Sequence, residues 1–419
     1  MCITLPGRVI KVKGSLAEIE YNHSNRLVKI GSQDKLSAGD WVLFTSDYLI
    51  KKINYQEAQE IFDLLGVYKN NLPETNNQKL KEILLKSREQ SINLKEIKFL
   101  LSLDDNSDLQ TLFIQANLTR RQSIKDHICI HGIIEFSNYC KNNCWYCGLR
   151  CQRKINRYRL TQKEIVETAV EAVNRGYKIL VLQSGEDDYY TQNKIIKIIK
   201  SIKEQVRVFI YLSIGDRSRE DYLAFKKAGA NGVLYRFETS NSQLYSQLRP
   251  GHKLNQRLNN LKMLQKLNYI ISTGMIIGLP NQTLEDLAKD ILLMKKLNTF
   301  MPSFGPLIPT QETPLAKITP VKPELILKII AITRLIMPQA RLPVTTAMET
   351  LMGGKTSRKQ CFFAGANALM LNLTPVKYRK DYCIYDNKFF DADKNYETWG
   401  LFQGDLSYEM LQQELGFTI

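Results

Sequence analysis

The sequence predicts an α/β protein, a complete eight-fold β/α barrel preceded by a small all-β, barrel-like domain. Three observations carry this. Residues 1–65 hold short alternating segments broken by Gly, Asn and Asp. From residue 132 onward, eight apolar runs of strand length alternate with amphipathic helical stretches. Between the two lies the stretch 70–77, Asn-Asn-Leu-Pro-Glu-Thr-Asn-Asn, which has the composition of a linker. The expected boundaries are 1–68 for the β domain, 69–77 for the linker and 78–419 for the barrel with its helical lead-in and C-terminal tail.

In the first domain, residues 8–13, 16–21, 26–30 and 41–45 are β-branched or aromatic and alternate in polarity, as half-buried strands do. Gly14, residues 22–25, residues 31–32 and Ala38-Gly39-Asp40 separate them. A helix over 55–65 puts Ile61, Leu64 and Leu65 on one face. Helices over 78–91, 94–103 and 109–126 lead into the barrel. Its strands are read at 132–136, 179–182, 206–212, 232–235, 270–277, 301–304, 341–344 and 368–371. Its helices are read at 162–174, 193–202, 218–228, 254–267, 284–297, 323–336 and 355–364, with a last helical stretch at 408–414.

Composition narrows the class. With 419 residues, 44% of them hydrophobic and 24% charged, the chain has ample material for a core, which excludes a disordered protein. The net charge is +16, but residues 1–75 hold nine basic and nine acidic side chains, so the excess belongs to the remainder. There it is spread as single Lys residues along helices, which reads as a solvated surface or attraction to an anionic ligand rather than a nucleic-acid interface. Met1–Gly14 lacks the charged and apolar regions of a secretory signal, and no apolar run approaches the ~18 residues of a membrane span. A cytoplasmic protein without membrane contact is expected.

Four of the eight cysteines lie within residues 140–151, which in a cytosolic chain points to metal or redox chemistry. Cys140, Cys144 and Cys147 form a CxxxCxxC directly after the first barrel strand, on the face where barrel enzymes place their chemistry. Three thiolates fit one iron–sulfur cube and leave one iron open to a non-protein chelator. A zinc site would ask for four ligands, and none of the four histidines lies in this loop. Cys151 is the rival fourth ligand.

This motif, with Tyr146 before its last Cys, resembles the radical S-adenosylmethionine (SAM) superfamily, whose TIM-type barrel binds a 4Fe–4S cluster and SAM. The resemblance implies that Gly185 and Glu186 hold the methionine amino group and that Ser213 meets the ribose side. It implies that Arg236, Glu238 and Arg257 address the carboxylate, ribose or sulfonium, and that the Gly-rich segment around Met275 contacts adenine. Residues 78–385 further resemble the HydE-type maturases of FeFe-hydrogenase. Gly132-Ile133-Ile134-Glu135-Phe136-Ser137-Asn138-Tyr139-Cys140, Arg236-Phe237-Glu238-Thr239 and Asn372-Leu373-Thr374-Pro375-Val376-Lys377-Tyr378-Arg379 carry that resemblance. It implies radical chemistry on a small organometallic substrate, a cysteine-bound iron carbonyl/cyanide complex. Gln183, Thr345, Thr346 and Tyr382 would belong to the substrate site.

Two features depart from that pattern. His131 stands where the family has Arg and would contact an anion only as a protonated or neutral donor; a lone His at a strand start also reads as structural. Only Cys383 lies in 381–400, so a second cluster is not expected; Cys383 is a candidate for the cavity wall, and Cys129 and Cys361 for packing. Thr345-Thr346-Ala347-Met348-Glu349 also reads almost as a helix capping box, which keeps a purely structural reading open.

Met1-Cys2-Ile3-Thr4-Leu5-Pro6-Gly7-Arg8-Val9-Ile10 resembles the start of HypC-type hydrogenase assembly chaperones, and the likeness extends to about residue 65. It implies an iron site at Cys2, whose thiolate and amine could chelate together, although Thr45 stands where the chaperones often carry His. Docking of a partner is the other role for this domain. The two resemblances together imply other hydrogenase maturation proteins and an electron donor as partners. A carbon-skeleton mutase or sulfur-insertion synthase, of methylornithine synthase or biotin synthase type, is the alternative enzyme. A non-catalytic metal-cluster scaffold is the third reading.

Overall fold

The computed structural model describes residues 4–21, 24–32, 34–45, 47–54, 57–58, 61, 75–89, 91–124, 128–354 and 356–389. Cys2, most of the stretches read as helix 55–65 and linker 69–77, and the tail at 408–414 lie outside them. The described residues up to Ile61 belong to one compact unit and those from Thr75 to Phe389 to another.

The first unit is a closed five-stranded barrel of order β1-β2-β3-β5-β4, built from β1 (Leu5–Lys13), β2 (Leu16–Tyr21), β3 (Ser24–Ile30), β4 (Trp41–Thr45) and β5 (Tyr48–Ile53). Closure follows because β1 pairs with both β2 and β4, leaving no free edge, as in small OB-type barrels. Alternation sends Val9, Ala17, Ile19, Val28, Val42, Phe44 and Leu49 into one core. Strand β5 was not among the four expected. Only Leu49 and Ile53 of its six residues are buried, with three exposed positions between them, so its polarity does not alternate. A register shift between Leu43 and Phe44 of its partner explains how it still pairs.

The second unit opens with helices Gln78–Ser87, Leu94–Ser102 and Asn106–Ile124. Thr75 and Asn77, at the end of the expected linker, are already fastened here. Both side chains donate to Asp108, at 2.7 and 2.6 Å. Asn77 also caps the first helix by accepting from Leu80 N.

The barrel sheet has eight parallel strands in the order β12-β10-β9-β8-β7-β6-β15-β14. They are β6 (Cys129–Ser137), β7 (Ile179–Ser184), β8 (Phe209–Ser213), β9 (Gly232–Leu234), β10 (Ile270–Thr273), β12 (Met301–Pro302), β14 (Pro343–Val344) and β15 (Ala368–Asn372). The edges meet where Arg341 N donates to Phe300 O at 3.0 Å, so the expected eight-fold barrel forms. Helices stand between successive strands. Those at Gln162–Asn174, Arg219–Ala228 and Leu284–Lys296 begin with reciprocal capping boxes, Thr161/Glu164, Ser218/Asp221 and Thr283/Asp286. An additional helix, Ser242–Leu248, precedes Leu254–Lys266.

Two expected strands are broken. The run 270–277 becomes β10 and β11 (Ile276–Ile277), and 301–304 becomes β12 followed by β13 (Gly305–Pro306). The break centres on Gly274, where a Cβ would sit 2.1 Å from Ser303 O. Beyond it β11 and β13 pair with each other and extend the C-terminal mouth. The barrel interior is filled by Cys129, Ile133, Val181, Phe209, Tyr211, Met301, Ala368 and Met370. No helix among the described residues is long and apolar enough to cross a membrane.

Candidate active site

A cavity of ≈300 Å³ opens at the C-terminal mouth. Its wall includes Cys140, Cys144, Cys147, Tyr146, Gly185, Glu186, Ser213, Arg236, Glu238 and Arg257, together with Gln183, Thr345, Thr346 and Tyr382. The structure therefore brings together fourteen of the expected site residues, from seven separate segments. Cys151 is exposed and absent from the wall, so it is not placed as a fourth ligand.

The cysteine loop follows β6 and is fastened to the end of β7 by two backbone bonds, Gly185 N to Ser137 O at 3.1 Å and Lys141 N to Glu186 O at 3.0 Å. Gly185 is required by the closeness of this approach, since a Cβ there would lie 2.2 Å from Tyr139 O and 2.7 Å from Cys140 Cβ. Burial pushes the Cys144 thiol up to about 11 and raises Cys140 and Cys147 too, with Arg249 pulling Cys140 and Cys144 the other way. The bare thiols are thus neutral at pH 7, and a soft metal centre would bind by displacing their protons.

Across the mouth, Arg236 Nε lies 3.1 Å from Glu238 Oε2, and Tyr146 OH donates to Glu238 Oε1 at 3.2 Å. Glu238 has φ +66°, a strained conformation for a non-Gly residue and one that recurs at functional sites. Arg257 is held by Asp216 at 3.0 Å and lies over the Tyr235 ring at 3.4 Å. On the opposite side Thr346 Oγ1 and Tyr385 OH share a hydrogen bond of 2.5 Å. Thr345 caps no helix with its side chain, and its buried Oγ1 has no partner. The capping-box reading fails in register: the third helical position is Met348, and Glu349 pairs with Arg358 instead.

Three expectations need correction. His131 is fully buried in the barrel interior, beside Cys129 at 3.8 Å and edge-on to Tyr211, and does not reach the cavity. Burial lowers it to about 4, so it is neutral at physiological pH. Residues 131, 133 and 135 share one face of β6; Ile133 and Glu135 reach the wall, while His131 lies one layer below. Met275 is fully buried outside the wall and contributes its carbonyl, which accepts from Arg236 Nη2 at 2.5 Å. Gly274 packs on Ser303 and Gly278 on Val321, whereas Ile276 between them lines the wall. Cys383 is flanked by wall residues Tyr382 and Ile384 but is not one.

Sequence reasoning missed Arg249, Glu135, Lys388 and Tyr385. Arg249 is 3% exposed and its Nη2 lies 3.2 Å from Glu186 Oε1. Glu135 forms a buried ion pair with Lys388 and accepts from Asn372 Nδ2 at 2.7 Å. A carboxylate inside the apolar run Ile133-Ile134-Glu135-Phe136 was the available signal, because an acid there must be paired.

The wall fits a polar, thiolate-bound group. Arg236 Nε and Glu238 Oε2 face only each other as an ion pair, and Arg249 Nε and Thr345 Oγ1 are buried in it without hydrogen-bond partners. Each such group costs about 1–3 kcal/mol until a ligand satisfies it. No three His, Cys, Asp or Glu among the described residues are grouped to hold a metal ion, which speaks against a preformed zinc site. A cube whose cysteines attach to different irons has no such requirement.

Comparison with known proteins agrees with this geometry. Residues 134–294 match the Radical SAM superfamily, 303–399 the Biotin and Thiamin Synthesis associated domain, and 1–65 the HupF/HypC family. The barrel is thus that of a radical SAM enzyme. The chain is 42% identical over 317 residues to the FeFe hydrogenase maturase subunit HydE of Thermotoga maritima, across 75% of this chain and 90% of that protein. It belongs to the HydE family of hydrogenase maturases. It is also 29% identical over 305 residues to 3-methylornithine synthase of Methanosarcina barkeri, covering 72% and 85% of the two chains. The solved structure of methylornithine synthase superposes with a TM-score of 0.65 at 25% identity, over 81% of this chain and 95% of that one.

Proposed function

We propose that this protein is a radical SAM maturase that acts on a cysteine-bound iron carbonyl/cyanide precursor of the FeFe-hydrogenase active site. Cys140, Cys144 and Cys147 would hold a single 4Fe–4S cluster. Gly185, Glu186, Ser213, Arg236, Glu238 and Arg257 would hold SAM, with Tyr146 supporting Glu238. When bound, the cluster supplies the electron that cleaves SAM to a 5′-deoxyadenosyl radical. The observation that carries the reading is the three thiols in one cavity wall with the partnerless Thr345 hydroxyl in the same wall.

On this reading the protein's own residues do three things. The Cys140–Cys147 loop presents one buried and two half-buried cysteines to one space. The paired charges Arg236–Glu238 and Arg257–Asp216 fix polar groups around the cofactor, already oriented before it binds. Gln183, Thr345 and Thr346 offer an amide and two hydroxyls to a substrate carboxylate. The HypC-like unit would dock other maturation proteins; an iron role for Cys2 falls outside the described residues. An electron donor completes the partners, and the site is expected to work in the cytoplasm.

The test is activation of an apo FeFe-hydrogenase by the anaerobically reconstituted full chain, with and without SAM and the iron–cysteine precursor. Activation that needs all three supports the reading. SAM cleavage driven instead by a free amino acid, with no activation, favours the methylornithine synthase-like alternative. Glu238→Ala and Arg257→Ala should weaken SAM binding. Removal of residues 1–70 should leave SAM cleavage intact and impair activation only with partner proteins present.

A further inference from the structure

Arg249 has no role in the account above, yet it occupies a central position. It follows helix Ser242–Leu248 as its C-cap and is 3% exposed. The turn it starts is fastened to the cysteine loop twice. Trp145 N donates to Leu248 O at 2.9 Å, and His252 Nε2 lies 3.2 Å from Asn142 Oδ1. The guanidinium lines the cavity with Cys140 and Cys144, its Nη2 is 3.2 Å from Glu186 Oε1 and 3.9 Å from Asp216 Oδ2, and its Nε is buried without a partner.

We propose that Arg249 is a positioning residue that locks Glu186 for the cofactor and supplies the cationic N–H facing the cysteine-bound cluster. The proposal rests on the reading that this loop carries the iron–sulfur cluster. An arginine suits the task because its rigid fork can hold Glu186 with one nitrogen and keep another N–H free. Burial works against its charge, and the Glu186 carboxylate at 3.2 Å works for it. A partnerless buried Nε–H needs an acceptor, and the thiolate-bound cluster is the anionic body expected beside it. Cluster potentials follow local charge and hydrogen bonds to the sulfurs. Without Arg249 the cluster should be harder to reduce, and Glu186 should lose its orientation.

The experiment compares wild type, Arg249→Met and Arg249→Lys as reconstituted full-length protein. It reads iron and sulfide content, an EPR-monitored redox titration and equilibrium SAM binding to the oxidised cluster. Met should keep the cluster, shift the midpoint potential negative and weaken SAM binding about ten- to a hundredfold, the range of a charge-assisted bond. Lys should restore most of the potential and little of the affinity, since it keeps the charge and loses the fork. A wild-type potential in a fully loaded Met variant overturns the proposal, as does a Lys variant as negative as Met. Should Met fail to fold, Lys alone decides: weaker SAM binding at near wild-type potential supports the proposal, and unchanged affinity overturns it. A wild-type chain that takes up no four-iron cluster sinks the reading of the whole site, and this appears before any substitution is made.

Discussion

Gly185→Ala isolates the contact on which the active-site geometry depends. The added methyl would lie 2.2 Å from Tyr139 O and 2.7 Å from Cys140 Cβ, where real Cβ contacts under 3.0 Å are essentially never seen. Relief therefore demands that backbone move, by roughly 0.8 Å or more, because the nearest atom is a main-chain oxygen. The movement would strain the Gly185–Ser137 and Lys141–Glu186 backbone bonds. Overpacking costs about 1–3 kcal/mol, and weakening one of these bonds adds about 1 kcal/mol. Functionally the effect should be larger, because a displacement near 1 Å at reacting groups costs on the order of a hundredfold in rate. The assay is urea unfolding of the apo protein together with 5′-deoxyadenosine formation by the reconstituted one. Gly176→Ala is the control. Gly176 has φ +98° with nothing within 4 Å, so only backbone strain of ~1 kcal/mol is expected, with turnover unchanged. If Gly185→Ala matched wild type in both stability and turnover, the close approach of β7 to the cysteine loop would be refuted.

Two further outcomes follow from burial. Asp290 is fully buried, is raised to about 7 by desolvation, and keeps one oxygen unpartnered while the other accepts from Ser240 N. The native state therefore holds a proton that the unfolded chain releases above about pH 4. The stability contribution is full below that pH and is lost as pH rises to about 7. Asp290→Asn should remove this slope, up to about 4 kcal/mol between pH 4 and 8, as read by urea melts at each pH; a wild-type slope in the variant would disprove the assignment. Cys151→Ala should retain full iron after reconstitution while Cys147→Ala does not, because only the latter lines the cavity; equal loss would reinstate Cys151 as a ligand.

The barrel was legible because its signals are periodic. Strand-length apolar runs, amphipathic helices and acids three residues after Thr161, Ser218 and Thr283 all follow from local backbone geometry. The cysteine loop was legible because the spacing of soft ligands carries its own chemistry. What failed depended on depth and on tertiary approach. Of the two readings of His131 the anion contact fails, since four strand positions separate it from Glu135, roughly 13 Å along the strand. Counting that rise in the sequence would have placed it below the cavity. The break at Gly274 has no such signal, since it arises where Ser303, between β12 and β13, presses against it. Arg249 was invisible for the same reason: it sits in an ordinary turn, and only folding brings it to Glu186.

The hydroxyls at the substrate side allow a sharper argument, because the protein contains its own comparison. Thr283 and Thr345 both stand at helix N-caps with an acid close behind. Thr283 accepts from Asp286 N at 3.1 Å, and Asp286 returns a bond to Thr283 N at 2.9 Å. Thr345 makes no such bond, since its acid comes one residue late and is taken by Arg358 at 2.5 Å. Thr283→Val should therefore cost about 1 kcal/mol in unfolding free energy. Thr345→Val removes a buried oxygen that has no partner, so it should be neutral or slightly stabilising in the apo protein. If the hydroxyl serves a ligand, the same variant should lose about 1–2 kcal/mol of substrate binding, a five- to thirtyfold rise in KM for the iron–cysteine precursor, while SAM binding stays unchanged. Equal destabilisation by the two Val variants would show that Thr345 is a cap after all. Unchanged KM would detach it from the substrate and leave the site's carboxylate recognition to Gln183 and Thr346.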